Sequence, residues 1–300
     1  MRRMKWTEKS KENLAGYLFI LPNVLGFAFF ILLPLLFSLF LVFTEWDYLK
    51  GIGGITFTGF ANIERALQDE MIYKSLKNNL IFSVVSVPAA MLIGLLFASA
   101  LNKFVYMKSL IRTLIFLPYM SSLVAIAVVW RVMYNSSEGP INAFLRSIGI
   151  DSPPGWLASP DWALAAIIIM TVWTYIGYAM VLYLAGLQGI SKDLYEAADI
   201  DGASGRQRLL SITVPLLKPT SFLIMVTLVI ASFQVFAQVQ VMTNGGPMHS
   251  TSVLALYIYT QAFEFRDMSY GATISWVLFL VIFAVTMIQW RTQKKWQNQF

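Results

Sequence analysis

The chain has no cysteine and one histidine, His249. The first absence excludes a disulfide scaffold, an iron–sulfur cluster, a thiolate zinc site and a cysteine nucleophile; the second makes imidazole metal clusters implausible. Charge is scarce as well: Asp, Glu, Lys and Arg make up 13% of the 300 residues against 57% hydrophobic ones. With a mean hydropathy of +0.64, a water-soluble chain of this size would precipitate. The formal net charge of +6 does not point to nucleic acid, because the basic residues punctuate long apolar runs instead of clustering on a solvated domain. The polyanion they suit is the membrane surface. No Ser/His/Asp set, no paired intramembrane carboxylates and no phosphate-cradling glycine loop with an adjacent lysine is present. The chain therefore reads as neither an enzyme nor an ATPase, and it carries no metal site.

About 20 apolar residues at 1.5 Å rise cross a hydrocarbon core of roughly 30 Å. Charge-free stretches of that order lie at residues 13–44, 78–102, 113–130, 163–191, the first half of 219–263, and 268–290. Backbone polar groups find no water in lipid, so each stretch must be a helix unless it belongs to a closed barrel. Runs such as 165–170 and 279–285 lack the two-residue alternation of barrel strands. An all-α integral membrane protein with six transmembrane helices is predicted. Arg2, Arg3 and Lys5 precede the first stretch as they would in a cleavable signal, but its apolar run is too long and no small-residue cleavage site follows, so a retained helix is expected.

Loop charges set the orientation. The two tails and the loops at 102–109 and 186–215 hold thirteen Lys and Arg, whereas the alternate loops at 44–78, 135–161 and 243–269 hold six of them and ten of the sixteen acidic residues. Both termini are expected on the cytoplasmic side. His249, in an outside loop beside Pro247, reads as a solvated histidine.

Ion-coupled carriers keep ionisable side chains at mid-bilayer depth, and this chain keeps none there. Arg112, Arg131 and Lys218 sit at span ends, where snorkelling explains them. Energy for transport would come from elsewhere. The interior still carries polar faces: Thr220, Thr227, Ala231, Gln234 and Gln238 share one side of a helical fifth span, and Thr171, Thr174, Tyr175 and Tyr178 repeat the pattern on the fourth. Two readings stand side by side, a pathway for a hydroxyl-rich solute or interhelical hydrogen bonding in an ordinary bundle. Many of the nine Trp and thirteen Tyr lie near span ends, as an interfacial belt requires.

The loop from Ser191 to Pro215 is the most informative. Ser191 is a good N-cap, Asp193 suits the positive end of a helix dipole, and Gly202 supplies the left-handed residue that stops a short helix. A helix–turn–helix is predicted, with Leu194, Ala197 and Ala198 forming a flat patch that another protein can approach closely.

Glu196-Ala197-Ala198, Gly202 and Ile212-Thr213-Val214-Pro215 resemble the EAA signature of permease subunits in binding-protein-dependent ABC importers of the type I fold. Thr44-Glu45-Trp46-Asp47, Gly59-Phe60-Ala61-Asn62 and Thr243-Asn244-Gly245-Gly246-Pro247 followed by Ser250-Thr251 are similar to the maltose-type carbohydrate subgroup, without a large insertion in the second outside loop. The resemblance implies residues 1–74 as tail, first helix and first outside loop, 75–291 as the transmembrane domain with a coupling loop at 190–215, and 292–300 as a cytoplasmic tail. It implies a bacterial or archaeal cell membrane, a second homologous permease, two ATPase subunits that bind ATP and Mg, and an extracytoplasmic solute-binding protein. Glu196, Ala197, Ala198, Asp199, Gly202 and Arg206 would then couple to the ATPase. Thr174, Tyr175, Tyr178, Gln234 and Gln238 would line a mid-membrane route for a carbohydrate. Related importers carry glycerol phosphate-type solutes, for which Arg131 is the candidate partner. An ion-gradient carrier or channel is the alternative from another class.

Overall fold

The computed structural model describes residues 8–102 and 106–297. Arg2, Arg3, Lys5 and Lys103, which enter the orientation reading, lie outside these residues, as does the end of the 292–300 tail. In chain order the helices are α1 (Glu8–Phe27), α2 (Leu33–Leu41), α3 (Ala61–Gln68), α4 (Glu70–Asn102), α5 (Lys108–Met120), α6 (Leu123–Met133), α7 (Pro140–Ser147), α8 (Pro160–Gln188), α9 (Lys192–Ile200), α10 (Gly205–Arg208), α11 (Val214–Leu216), α12 (Lys218–Phe233), α13 (Ala237–Met242), α14 (Leu254–Tyr259) and α15 (Met268–Gln297). Two short strands, β1 (Thr44–Glu45) and β2 (Thr56–Phe57), pair antiparallel with Thr44 opposite Phe57.

Four segments are long and apolar enough to cross a bilayer unbroken: Ala15–Leu41, Glu70–Asn102, Pro160–Gln188 and Met268–Gln293. Two helix pairs, α5 with α6 bent by 97° and Gly205–Leu216 with α12 bent by 66°, reach that length and apolarity only when each pair is taken as one span, which brings the four to six. The expected third stretch, 113–130, falls on the first pair, and the expected fifth begins on α12 after the second bend. Proline accounts for two interruptions of regular helix, which share one pattern. In the π-turn Ala28–Leu32 the Leu33 N–H reaches back to the Ala28 carbonyl, and in the π-turn Leu209–Thr213 the Val214 N–H reaches back to Leu209. Each precedes a proline, Pro34 or Pro215, whose ring cannot donate and crowds the carbonyl four residues back, so the backbone widens by one residue.

The described residues form two compact units. The first comprises the chain up to Gln68 together with Thr260–Trp276. Of the apolar side chains in Ala15–Leu41 only Leu41 is buried; Phe19 and Phe30 are more than four-fifths exposed. Such a surface is stable against lipid or another apolar helix and not against water. The polar residues of this unit knit its turns. Asn62 donates to the carbonyls of Val42 (3.1 Å) and Thr44 (2.7 Å), Met268 N–H donates to Trp46 (3.3 Å), and Thr44 Oγ1 lies 3.2 Å from Ser269 Oγ. Arg65 pairs with Asp267 at 2.7 Å and lays its guanidinium 3.6 Å from the Tyr270 ring centroid. The Thr44–Asp47 and Gly59–Asn62 motifs therefore do structural work in this turn.

The second unit comprises Asp69–Tyr259 and the chain from Val277. α8 is its centre, packed on α4, α5 and α12. Lipid tails offer no hydrophobic drive for helix association, so close backbone approach matters, and glycine permits it. A Cβ on Gly94 would lie 2.6 Å from Ala179 Cβ, one on Gly177 would lie 2.8 Å from Phe116 Cα, and one on Gly186 would lie 2.8 Å from Leu217 Cδ2. Trp130, Tyr134, Trp156 and Trp162, expected in the belt near span ends, form with Trp173, from the middle of α8, a chain of ring contacts at 5.0–5.7 Å.

Candidate functional site

Non-helical backbone at membrane depth survives only where it is buried in protein or lines a cavity, so the interrupted spans mark the region of interest. The third span breaks at Ser121 and Ser122, both extended, three residues after Pro118; Ser121 Oγ satisfies the Leu117 carbonyl at 2.8 Å. α12 ends at Phe233 with neither proline nor glycine to stop it, and Phe236 takes an irregular conformation before α13 begins. The freed groups find one partner. Asn79, fully buried on α4, directs its Nδ2 to the carbonyls of Ser232 (3.5 Å) and Phe233 (3.4 Å), while its Oδ1 accepts the Leu254 N–H at 2.9 Å at the start of α14. Asn78 Nδ2 donates to the Ser252 carbonyl at 2.8 Å, and Ser75 Oγ lies 3.2 Å from Ser252 Oγ. The Thr243–Pro247 motif closes on itself, with Thr243 and Thr251 hydroxyls 2.7 Å apart and Thr251 donating to Gly246 at 2.8 Å.

This break separates residues that the sequence places on one continuous helical face. Gln234 is exposed at the end of α12, whereas Gln238, on α13, is 3% exposed. On α8, Thr171 and Thr174 are buried and donate their hydroxyls to the carbonyls of Ile167 (2.9 Å) and Met170 (3.0 Å). Tyr175 is buried, and Tyr178 is half-buried and stacks on Tyr119 at 4.8 Å. Tyr175 and Tyr178 pack in the same cluster as Ala231 and Phe233, the residue before Gln234. Val235 and Val239, on either side of Gln238, belong to a second cluster with Ile167 and Met170. The open polar groups of the five are thus Tyr178 and Gln234. Tyr119, carried by the end of α5, was not among the residues expected here; Pro118 and the Ser121-Ser122 pair inside an uncharged run were the signals of a break that could have found it. Arg131 donates from Nη1 to the Val241 carbonyl at 3.3 Å and is exposed.

A cavity of about 530 Å³ lies between α4, α12 and α15, and of its lining residues only Ser83 and Gln289 are polar. Its walls, which include Val87, Met91, Met225 and Phe233, suit apolar contents and offer few partners to a hydroxylated solute.

The loop after α8 has the predicted form. Ser191 Oγ accepts the Asp193 N–H at 3.2 Å, and α9 follows. Gly202, with φ +70°, ends it in a Schellman turn: Gly202 N–H donates to the Asp199 carbonyl at 3.1 Å and Ala203 N–H to that of Ala198 at 2.9 Å. Ser204 and Gln207 close a capping box on α10. Leu194, Glu196, Ala197, Asp199, Ile200 and Arg206 are exposed, with Ile200 at 87%. The helix is charged and leaves the apolar Leu194 and Ile200 in the open.

Residues 86–293 match the family described as binding-protein-dependent transport system inner membrane component. The chain is 39% identical over 288 residues to the lactose transport system permease protein of Rhizobium radiobacter, covering 94% of each, and 35% identical over 280 residues to the trehalose/maltose transport system permease protein of Thermococcus litoralis, covering 93% of this chain and 94% of that one. Its fold matches a chain of a bacterial alginate ABC transporter solved in complex with an alginate pentasaccharide-bound periplasmic protein, with a TM-score of 0.80 at 23% identity over 96% of each chain.

Proposed function

This chain belongs to the binding-protein-dependent transport system inner membrane component family and is a membrane-spanning permease subunit of an ABC importer; from that premise we propose that its cargo is a carbohydrate handed over by an extracytoplasmic solute-binding protein. The names of the lactose and trehalose/maltose relatives support a sugar. We assign the nucleotide chemistry, ATP with Mg, to two separate ATPase subunits, and half of the route to a second, homologous permease. The loop charges support a cytoplasmic side for both termini and α9.

The observation that carries the coupling role is the exposed, doubly capped α9. Glu196 would make polar contacts with the ATPase, Ala197 and Ala198 would seat in its cleft, Gly202 would permit the turn, and Asp199 and Arg206 would flank the contact. The solute would pass Tyr178 and Gln234, which offer a ring face and an amide, with Thr174, Tyr175 and Gln238 behind them. Reconstitution of the four-part complex with its binding protein tests the reading. Labelled oligosaccharide should enter proteoliposomes only with ATP and binding protein present; gradient-driven uptake by this chain alone would contradict it.

A further inference from the structure

α9 is joined covalently to the fifth span only through the Asp201–Ser204 turn and the short helices after it, yet side chains tie it down a second time. Tyr195 and Asp199 stand four residues apart on α9 and so share a face. Tyr195 is turned inward while its neighbours Leu194 and Glu196 are exposed. Its phenol oxygen lies 3.0 Å from Thr213 Oγ1, and Thr213, 5% exposed, is the last residue of the π-turn. Thr213 Oγ1 also lies 3.4 Å from the Arg208 carbonyl, and a hydroxyl has one proton to give. With that proton on the carbonyl, Tyr195 is the donor to Thr213. The Arg208 guanidinium in turn donates to the Asp199 carboxylate. Tyr195, Thr213, Arg208 and Asp199 therefore close a ring across the turn.

We propose that Tyr195 and Thr213 are positioning residues for coupling: the ring makes α9 and the entrance to the fifth span one rigid lever. The inference rests on the importer reading above. A displacement of α9 can bias the membrane helices only if the connection does not absorb it, and Thr213 lies within the Gly205–Leu216 segment, close before the point where that segment bends by 66° into α12. Stability is a poor explanation for the ring. Its ion pair is 33% and 56% exposed, and pairs of that kind contribute little.

The test measures solute uptake and ATP hydrolysis together in the complete reconstituted complex. Tyr195→Phe, which keeps the ring and loses the hydroxyl, and Thr213→Val should each lower the solute moved per ATP about fivefold, the factor of one ordinary hydrogen bond. Thr213→Ser should restore it, and the double variant should be no worse than Thr213→Val alone, because that variant already lacks the Tyr195–Thr213 bond. Hydrolysis rate and the amount of ATPase held by the chain should stay at wild-type values. An unchanged solute-to-ATP ratio in Tyr195→Phe, or effects that multiply in the double variant, would overturn the lever while leaving the importer reading intact. A wild-type chain that retains no ATPase would overturn that reading and the lever with it.

Discussion

The side-chain oxygen of Asn79 accepts the backbone N–H of Leu254 at 2.9 Å, across a sequence separation of 175 residues. One buried amide thereby serves the start of α14 with its oxygen and the open end of α12 with its nitrogen. The break that exposes Gln234 is stabilised because a side chain of α4, eight helices earlier in the chain, completes its hydrogen bonds.

Replacement of that amide should be felt throughout the second unit. Asn79→Leu keeps volume but leaves the Leu254 N–H and the carbonyls of Ser232 and Phe233 buried without a partner, about 1–3 kcal/mol for each group left unpaired. The thermal unfolding midpoint of the detergent-purified complex should drop, and an unchanged midpoint would show that water or another group replaces the amide.

Much of this architecture is legible in the sequence, and the illegible part has a common cause. Charge-free runs locate the spans because lipid excludes ions and unpaired backbone alike. Ser191 and Gly202 mark the ends of α9 because capping is a local matter, decided within four residues. The end of α12 is decided by Asn79, far away in sequence, so helical periodicity carried Gln234 and Gln238 on one face where the chain separates them. Tyr119 was missed for the same reason: its partner Tyr178 is supplied by another helix. The π-turns before Pro34 and Pro215 lie between, since the proline is visible but the choice of a widened turn over a kink is not.

Glycine on α8 should be replaceable only at a cost. In Gly177→Val the new side chain meets the Ile115 carbonyl and Phe116 backbone of α5, which cannot yield as a flexible side chain would. Overpacking of this kind costs about 1–3 kcal/mol. Lower membrane abundance and a lower unfolding midpoint are expected; wild-type values for both would mean that α5 shifts freely.

Gly202 sets a different kind of limit. A Cβ there meets nothing within 4 Å, so any penalty is conformational and comes from φ +70°. Gly202→Val should lose about 1–2 kcal/mol in the left-handed region and abolish uptake while membrane insertion persists, whereas Gly202→Asn should retain most uptake because asparagine tolerates that region. Equal uptake in the valine variant and the wild type would remove the turn from the coupling scheme.

Solute contact is tested at the two open polar positions. Tyr178→Ala and Gln234→Ala together should raise the apparent KM for uptake about tenfold and shift preference among oligosaccharides, as loss of a ring face and an amide partner would. If rate and preference both stay as in the wild type, the route runs elsewhere.

The absence of native cysteine allows the central claim to be tested directly, because Ala198→Cys would carry the only thiol on this chain. In the assembled importer a bifunctional thiol crosslinker should join that position to an ATPase subunit, with a yield that changes between nucleotide-free and ATP-bound states. Labelling of Ala198→Cys by an impermeant reagent from outside the cell, or the absence of any ATPase adduct in a complex that still hydrolyses ATP, would contradict coupling through α9.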